Sequence, residues 1–284
     1  MKTIEITITE QFNNKTVKYM LFDYLELSDK LVCDLKKGEY IKVNEEVCTV
    51  RKVLKTGDVL KILIAETEEN NIEPVKGELD ILYEDEDIIA VNKPANMPTH
   101  PTKYHLTDTL ANLVCGHLGK GFVFRAVNRL DKDTTGVVLI AKNRYSAEML
   151  NKQIRSKEIK KTYMAICRGT LKGDGTVEAP IKKETTKGIK RIVSPDGQYA
   201  KTQYFAIKTQ DNNTLVKLCP KTGRTHQLRV HMAHIGNPLY GDYIYGTECE
   251  VRTLLHCSQM EFTHPATKKE ICIHAHLPKD FFIK

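Results

Sequence analysis

A charged loop that leads directly into an apolar strand constrains the fold of this chain more than any other feature. The loop, Asn128–Gly136 (NRLDKDTTG), has four charged side chains, and Val137–Ile140 (VVLI) follows it without a break. An aliphatic run of this length predicts a buried strand, and Gly136 allows the backbone to turn sharply into it. The pattern places Asp131 at the edge of a buried sheet. Taken alone, such a loop fits a salt-bridged turn as well as a functional site.

The remaining strands and helices occur in no regular alternation. Apolar runs predict two short strands around an acidic turn within residues 79–93 and further strands at 163–167 and 215–218, and periodic apolar residues predict helices at 146–154 and 225–235. A chain that does not alternate strand and helix is not expected to form a doubly wound parallel sheet. We therefore predict an α+β fold, in which a mixed, mostly antiparallel β-sheet is flanked by helices.

A polar stretch between residues 66 and 76 has the composition of a linker. It predicts an amino-terminal domain at 1–68, a linker at 69–77 and a larger domain at 78–284. In the first segment, helices are predicted at 22–27 and 31–35 and strands at 40–44 and 59–64. This combination predicts a small α/β unit.

The amino-terminal unit resembles the RNA-binding domain named after ribosomal protein S-four. The resemblance covers residues 16–64 and rests on a helix pair followed by "KKGEYIKVN" and "VLKTGDVLKILI". It departs from the family at Ser28-Asp29, where a basic residue usually follows the serine. Residues 1–75 contain 11 Lys/Arg and 14 Asp/Glu, a net charge of −3, so the unit is also acidic. A domain used for docking or stability is the alternative to RNA binding.

Positive charge is concentrated in the larger segment. The formal net charge of the chain is +7, which leaves +10 for residues 76–284. Clustered lysines suit a phosphate backbone, and a solvated lysine-rich face is the alternative. The candidate RNA-binding lysines are Lys182, Lys183, Lys187 and Lys190.

The cysteines and the apolar runs argue against several other classes of protein. None of the eight cysteines forms a C-x-x-C pair, and we interpret them as buried reduced thiols without zinc or disulfides. No run approaches the roughly 18 apolar residues of a membrane span, and the first residues do not resemble a signal peptide. We expect a cytoplasmic protein that is monomeric and needs neither a metal nor another cofactor.

Several segments together resemble the RluA family of RNA pseudouridine synthases. The charged loop is similar to the family signature H-R-L-D-x-x-T-S-G, and the resemblance extends from residue 78 to the carboxyl end. The other matching segments are "YEDEDIIAVNKPANMPTHP", "KKTYMAI", "KTGRTHQLRVHMAHIGNPLYGDYIYG" and "LLHCSQMEFTHP". Two positions of the loop depart from the signature, since Asn128 replaces histidine and Thr135 replaces serine.

The resemblance implies the roles of four residues. Asp131 would be the catalytic aspartate, Tyr163 the active-site tyrosine of the K-x-Y motif, and Arg229 the arginine of H-Q-L-R. Arg129 would face the RNA. A guanidinium beside a carboxylate favours the charged carboxylate and fixes its geometry. The histidines near Arg229 are interpreted as structural, because no metal-binding motif accompanies them.

The implied function is isomerisation of specific uridines in a structured RNA, and both ribosomal and transfer RNA are open as targets. A metal-dependent glycosyltransferase is one alternative, because Asp131 and Asp133 form a D-x-D pair that could hold a divalent ion. A non-catalytic RNA-binding protein is the other. Retention of the aspartate, the tyrosine and the arginine together favours the enzyme.

Overall fold

Two β-sheets organise the protein in the computed structural model, which describes residues 2–185, 188–246 and 251–283. The smaller sheet has four strands in the order β1-β4-β2-β3, all antiparallel. Its strands are β1 (Lys2–Thr7), β2 (Ile41–Val43), β3 (Glu46–Val47) and β4 (Val59–Ile64).

The larger sheet has ten strands, and a separate two-stranded hairpin lies beside it. The strands of the sheet are β5 (Ile81–Glu84), β6 (Ile88–Lys93), β7 (Arg125–Ala126), β8 (Thr135–Ala141), β9 (Lys160–Arg168), β10 (Asp174–Glu178), β13 (Lys201–Gln210), β14 (Asn213–Pro220), β15 (Leu255–Thr263) and β16 (Glu270–His274). The hairpin is formed by β11 (Ile181–Lys183) and β12 (Arg191–Val193).

The order of the main strands is β10-β13-β14-β9-β15-β8-β6-β5, with β16 paired to β15 and β7 paired to β8. Among these strand pairs, only β8 and β15 run parallel to each other. Every residue of β8 is buried, because the strand lies inside the sheet and both of its faces are covered. The predicted mixed, mostly antiparallel sheet is confirmed.

Five helices accompany the sheets, namely α1 (Val17–Tyr19), α2 (Asp29–Lys37), α3 (Leu110–Leu118), α4 (Arg144–Arg155) and α5 (Gln227–His234). The helix predicted at 22–27 is wrong in position, since a single π-helical turn, Met20–Tyr24, follows α1 there. The sequence prediction also missed β1, whose residues alternate between half-buried and exposed along one edge of the small sheet. In the described part of the chain, no helix is long and apolar enough to cross a membrane.

Helix α4 joins the amino-terminal unit to the large sheet. Its Tyr145 and Met149 are buried in the hydrophobic core formed by residues 8–64. The guanidinium of Arg144 forms a salt bridge with Asp34, and the carboxylate of Glu148 accepts hydrogen bonds from the backbone and side chain of Ser28. The opposite face of α4 packs on the large sheet through Leu150. One helix therefore contributes to both cores, and a cut at the 69–77 segment would expose apolar side chains.

Asp87 stabilises this junction from the side of the large sheet. Its carboxylate is buried and accepts hydrogen bonds from Lys2 Nζ, Asn143 Nδ2 and Ser146 Oγ, each at 2.8 to 2.9 Å. Burial alone would raise the pKa of Asp87, but these hydrogen bonds hold it below its usual value. A carboxyl group with a lowered pKa stabilises the fold at neutral pH, and this contribution is lost in acid, below about pH 4.

We expect Asp87→Ala to lower the free energy of unfolding by about 3 kcal/mol, because two buried donors lose their acceptor. Urea denaturation at pH 7 measures this loss. Glu86→Ala is the matched control, since Glu86 is exposed. Equal stabilities of the two variants would contradict the structural role of Asp87.

The interpretation of the cysteines is only partly correct. Cys115, Cys167 and Cys257 are buried, but Cys33 and Cys272 are exposed. Cys272 lies at the end of the sheet beside His274, with 3.2 Å between Sγ and Nε2. Cys249 lies outside the described residues.

Candidate active site

A cleft of about 380 Å³ opens where the charged loop meets strand β9 and helix α5. The loop contributes Arg129, Asp131 and Thr134, and β9 contributes Lys161 and Tyr163. The opposite wall consists of residues 220–229, which lead into α5 and include its first turn. The three residues that the sequence predicts to act together, Asp131, Tyr163 and Arg229, thus line one cleft.

Gly136 sets the position of the loop against the sheet. Its φ is +108°, in the region that favours glycine. A Cβ atom at this position would lie 2.2 Å from the carbonyl oxygen of Cys257 on the parallel neighbour β15. A glycine is required here for both reasons, since it allows β15 to approach the point where the loop becomes β8.

The two departures from the family signature have structural roles. Asn128 donates a hydrogen bond to the carbonyl of Val137 and accepts one from the amide of Leu139, both at 2.9 Å. Its side chain therefore fixes the loop to β8. The hydroxyl of Thr135 lies 2.8 Å from His256 Nδ1, a contact that a serine hydroxyl could also make.

Two basic side chains, the buried Lys93 and the half-buried Arg252, hold the backbone of the loop from behind. Lys93 Nζ donates to the carbonyl of Lys132 at 3.0 Å, and Arg252 Nη1 donates to the carbonyl of Asp133 at 3.1 Å. Lys93 also donates to the carbonyls of Pro94 and Met97 at 2.7 Å. Burial lowers the pKa of Lys93 to about 7, against the charges of Asp133 and Asp131. These contacts fix the backbone on the carboxyl side of Asp131.

Arg229 connects Asp131 to a buried second aspartate. Its Nη1 lies 3.2 Å from Asp131 Oδ2, while Nε and Nη2 donate to the two oxygens of Asp242 at 2.7 and 2.8 Å. The Asp242 side chain is 0% exposed and also accepts hydrogen bonds from the amides of Ile244 and Tyr245. Burial would lower the pKa of Arg229, but Asp242 and Asp131 raise it above its ordinary value. The guanidinium is therefore charged and held in one orientation by a bidentate pair.

Tyr163 lies on β9 directly opposite Cys257 of β15. Its ring is buried at the wall of the cleft, close to the Cys257 thiol. Burial raises the pKa of Tyr163 far above its ordinary value. The phenol stays protonated at neutral pH, so it cannot act there as a phenolate base.

His226 was interpreted from the sequence as structural, but it lies in the cleft. Its Nε2 is 3.7 Å from Asp131 Oδ2, and its Nδ1 is 2.8 Å from the hydroxyl of Tyr245. Burial lowers the pKa of His226, more than the charge of Asp131 raises it. His231, by contrast, is buried between Thr202 and the carbonyl of Ala179, as a structural histidine should be.

The charges around the cleft are mainly positive. Four basic residues line it, Arg129, Lys161, Arg224 and Arg229, against one acidic residue, Asp131. Arg129 is exposed and, within the described ranges, forms no hydrogen bond or ion pair. A rim of this kind suits a polyanion.

The predicted lysine cluster lies on the β11–β12 hairpin, outside the lining of the cleft. Lys182 forms an ion pair with Asp196 at 2.8 Å, and Lys190 forms one with Glu184 at 3.2 Å. Lys183 ends strand β11, and Lys187 lies outside the described residues. The nearby carboxylates reduce the positive charge that the sequence pattern implied.

The D-x-D pair does not form a shared site. Asp131 lines the cleft and Asp133 does not. Among residues 2–185, 188–246 and 251–283, no group of three His, Cys, Asp or Glu side chains could hold a metal ion.

The sequence assigned no site role to three residues, Lys161, which lines the cleft, and Asp242 and Tyr245, which contact the cleft residues Arg229 and His226. Asp242 stands in the quoted segment "PLYGDYIYG", so an acidic residue in a matching motif was the available signal. Lys161 precedes Tyr163 by two positions, which places both side chains on one face of a strand. No sequence pattern near these three residues predicts which distant side chains they contact.

Comparison with known proteins identifies two matching families. Residues 87–234 match the family described as RNA pseudouridylate synthase, and residues 4–60 match the RluD ribosomal pseudouridine synthase N-terminal domain. An uncharacterized RNA pseudouridine synthase of Bacillus subtilis, YhcT, is 38% identical over 98% of this chain and 94% of its own length. Ribosomal large subunit pseudouridine synthase D of Escherichia coli K12 is 33% identical over 95% of this chain and 84% of its own length.

Solved structures agree with these matches. Human RNA pseudouridylate synthase domain containing 4 superposes with a TM-score of 0.58 and 27% identity, over 70% of this chain and 88% of that chain. Human RNA pseudouridylate synthase domain containing 1 gives a TM-score of 0.60 and 25% identity, over 72% and 86%.

Proposed function

The chain belongs to the RluA family of RNA pseudouridine synthases, and we propose that it isomerises uridine in large-subunit ribosomal RNA with Asp131 as its catalytic carboxylate. The reaction breaks the bond between uracil N1 and ribose C1′ and joins C5 of the same ring to C1′. A carboxylate beside the ribose can attack a carbon or remove a proton. The observation that carries the assignment is the contact between Asp131 and Arg229 in a basic cleft.

Arg229 orients the Asp131 carboxylate. Asp242 holds two nitrogens of the guanidinium, so Nη1 remains for Asp131. His226, with its lowered pKa, adds no competing positive charge at neutral pH. This arrangement supports a function for Asp131 as a carboxylate of fixed orientation.

Tyr163 provides a flat surface for the extruded base. A buried ring at the wall of the cleft can stack on uracil, and its hydroxyl stays protonated because burial raises the pKa of Tyr163. Both observations favour stacking over the acceptance of the C5 proton by the hydroxyl. Another group, or water, then accepts that proton.

Arg129 is proposed to contact the RNA that the target nucleotide leaves. Extrusion of a base costs a few kcal/mol of stacking and pairing. An exposed guanidinium without an ion-pair partner, at the mouth of the cleft, can fill the gap or bind a phosphate.

Two similarities support ribosomal RNA as the proposed substrate, one of the amino-terminal segment and one of the chain as a whole. The amino-terminal segment matches a domain described as that of a ribosomal pseudouridine synthase. Relatives that are 33 to 34% identical to this chain are named large-subunit enzymes. We further propose that residues 1–68 act as an accessory domain and 78–284 as the catalytic domain.

Pseudouridine maps of ribosomal and transfer RNA, taken from cells with and without the gene, test the substrate. We expect one or a few large-subunit sites to disappear and to return with the wild-type gene but not with Asp131→Asn. Loss of sites confined to transfer RNA would contradict the proposed substrate and leave the reaction class intact.

We also expect the larger segment to make most phosphate contacts, because it carries a net charge of +10 against −3 for the first 75 residues. The slope of log affinity against log salt counts neutralised phosphates. Replacing Lys182, Lys183, Lys187 and Lys190 by glutamine should flatten this slope, by up to roughly one unit per lost contact.

The matched control replaces four exposed cations of the amino-terminal unit by glutamine, namely Lys36, Lys37, Arg51 and Lys52. It is preferable to truncation, which would uncover Tyr145 and Met149. A larger loss of slope in the control would identify the amino-terminal unit as the main electrostatic contact and overturn this prediction.

A further inference from the structure

Lys161 is a cation in the cleft that no contact within the free protein explains. It lies on β9 two residues before Tyr163, and both side chains line the cleft. The Lys161 side chain is half-buried in the wall of the cleft, and over residues 2–185, 188–246 and 251–283 its ammonium forms no hydrogen bond or ion pair. Its neighbour Lys160 is exposed and lies 3.7 Å from Glu261.

Partial burial of an ammonium that has no partner among the described residues is unfavourable. It lowers the pKa of Lys161, against a smaller opposing effect from Cys257. Hydrophobic side chains of similar length, such as methionine, would avoid that cost. The cation is therefore expected to interact with something that enters the cleft.

The position of the Lys161 ammonium suits a contact with the uracil base, not with the ribose. Nζ is the nearest atom to a Cβ built on Gly223, at 3.9 Å, so the side chain extends from β9 toward the wall that precedes α5. Residues two apart on a strand are separated by roughly 6.6 Å, so a ring stacked on Tyr163 lies within reach of the lysine. Asp131 stands on a different element, the loop that leads into β8, and its charge is not among the causes that shift the pKa of Lys161.

We propose that Lys161 is a catalytic residue that donates a hydrogen bond to a carbonyl oxygen of the extruded uracil and stabilises the negative charge of the detached ring. This inference rests on the proposed function, and it extends it from the sugar end of the site to the base end.

Asp131 can attack a sugar carbon or remove a sugar proton, and both routes require a group that stabilises the detached uracil ring. When the bond between C1′ and N1 breaks, its electron pair stays on uracil and is shared by N1, O2 and O4. Asp131 compensates the sugar, by bonding to it or by accepting one of its protons. The ring then uses an electron pair to form the bond between C5 and C1′, and in that step Asp131 is released from the sugar or returns the proton it took from it. The ring loses the C5 proton and gains one at N1, so substrate and product have the same composition and the carboxylate is regenerated. Only a positive or hydrogen-bonding group at the ring stabilises the intermediate anion, and Arg229 is already committed to Asp242 and Asp131.

The test compares Lys161→Met, Lys161→Arg and the control Lys160→Met, with an RNA fragment that the wild-type protein modifies. We expect Lys161→Met to lower the single-turnover rate by roughly 100-fold, as removal of one charge-stabilising donor does elsewhere. Lys161→Arg should recover part of the rate, and Lys160→Met should be unaffected. The melting temperature of Lys161→Met should equal or exceed that of the wild type, because a desolvated charge has been removed.

A second substrate separates electrostatic stabilisation from packing. Fluorine at C5 withdraws electrons, so a detached 5-fluorouracil ring needs less stabilisation. The rate is followed by the disappearance of 5-fluorouridine from the RNA. On this substrate Lys161→Met should lower the rate by only about tenfold or less. An equal defect for both bases, a wild-type rate in Lys161→Met, or a melting temperature that falls together with the rate would overturn the role of Lys161. A wild-type protein that modifies no RNA would overturn the proposed function as well.

Discussion

Asp131→Asn is expected to abolish pseudouridine formation while changing RNA affinity and stability little. The substitution keeps the shape of the side chain, which is 34% exposed, and replaces one carboxylate oxygen by an amide nitrogen. A positioned acid–base group contributes roughly 100- to 10,000-fold in rate. We therefore expect single-turnover activity to fall by more than about 100-fold.

Asp133→Asn is the matched control for this variant, because Asp133 belongs to the same loop but does not line the cleft. It should retain most of the activity. If Asp131→Asn kept more than about a hundredth of the wild-type rate, Asp131 would not be the catalytic carboxylate. Filter-binding with the same RNA establishes that the loss is in the reaction and not in binding.

We expect Arg229→Ala to lower activity nearly as much as Asp131→Asn does. We also expect it to lower the stability of the fold. Removing the guanidinium leaves Asp242 as a buried charge without its partner, and breaking such a pair costs about 3–5 kcal/mol. It also leaves Asp131 without the group that fixes its orientation. The rate should fall by about 100-fold or more.

A double variant separates the two effects. Arg229→Ala with Asp242→Asn removes the uncompensated charge, so much of the unfolding free energy should return while activity stays low. Recovery of activity in the double variant would show that Arg229 acts only by stabilising the fold. Unfolding curves in urea and single-turnover rates on the same preparations provide the comparison.

The arginine and the aspartate illustrate what a local pattern can specify. Asp131 and Arg229 lie 98 residues apart, yet each stands in a short segment whose residue types and spacing match one family, so their pairing was predictable. Tyr163 was predictable in the same way. The mixed antiparallel sheet followed from apolar runs that do not alternate with helices.

Other features depended on the tertiary structure because they are contacts between distant segments without a local signal. The burial of Asp242 beneath Arg229, and the entry of His226 into the cleft, are determined by how α5 packs. The lysines of the β11–β12 hairpin clustered in the sequence, but the fold pairs two of them with carboxylates.

The sequence by itself determined the reaction class, the sheet type and the catalytic aspartate as a candidate, because hydrophobic periodicity and short motifs are local properties of the chain. Only the tertiary structure decided which charges remain unpaired. Lys160 and Lys161 are adjacent and chemically identical, yet one is exposed beside Glu261 and the other is half-buried in the cleft, where no described residue pairs with it. The alternation of a strand puts them on opposite faces, and whether a face meets solvent or a cleft depends on what the remainder of the chain packs against it.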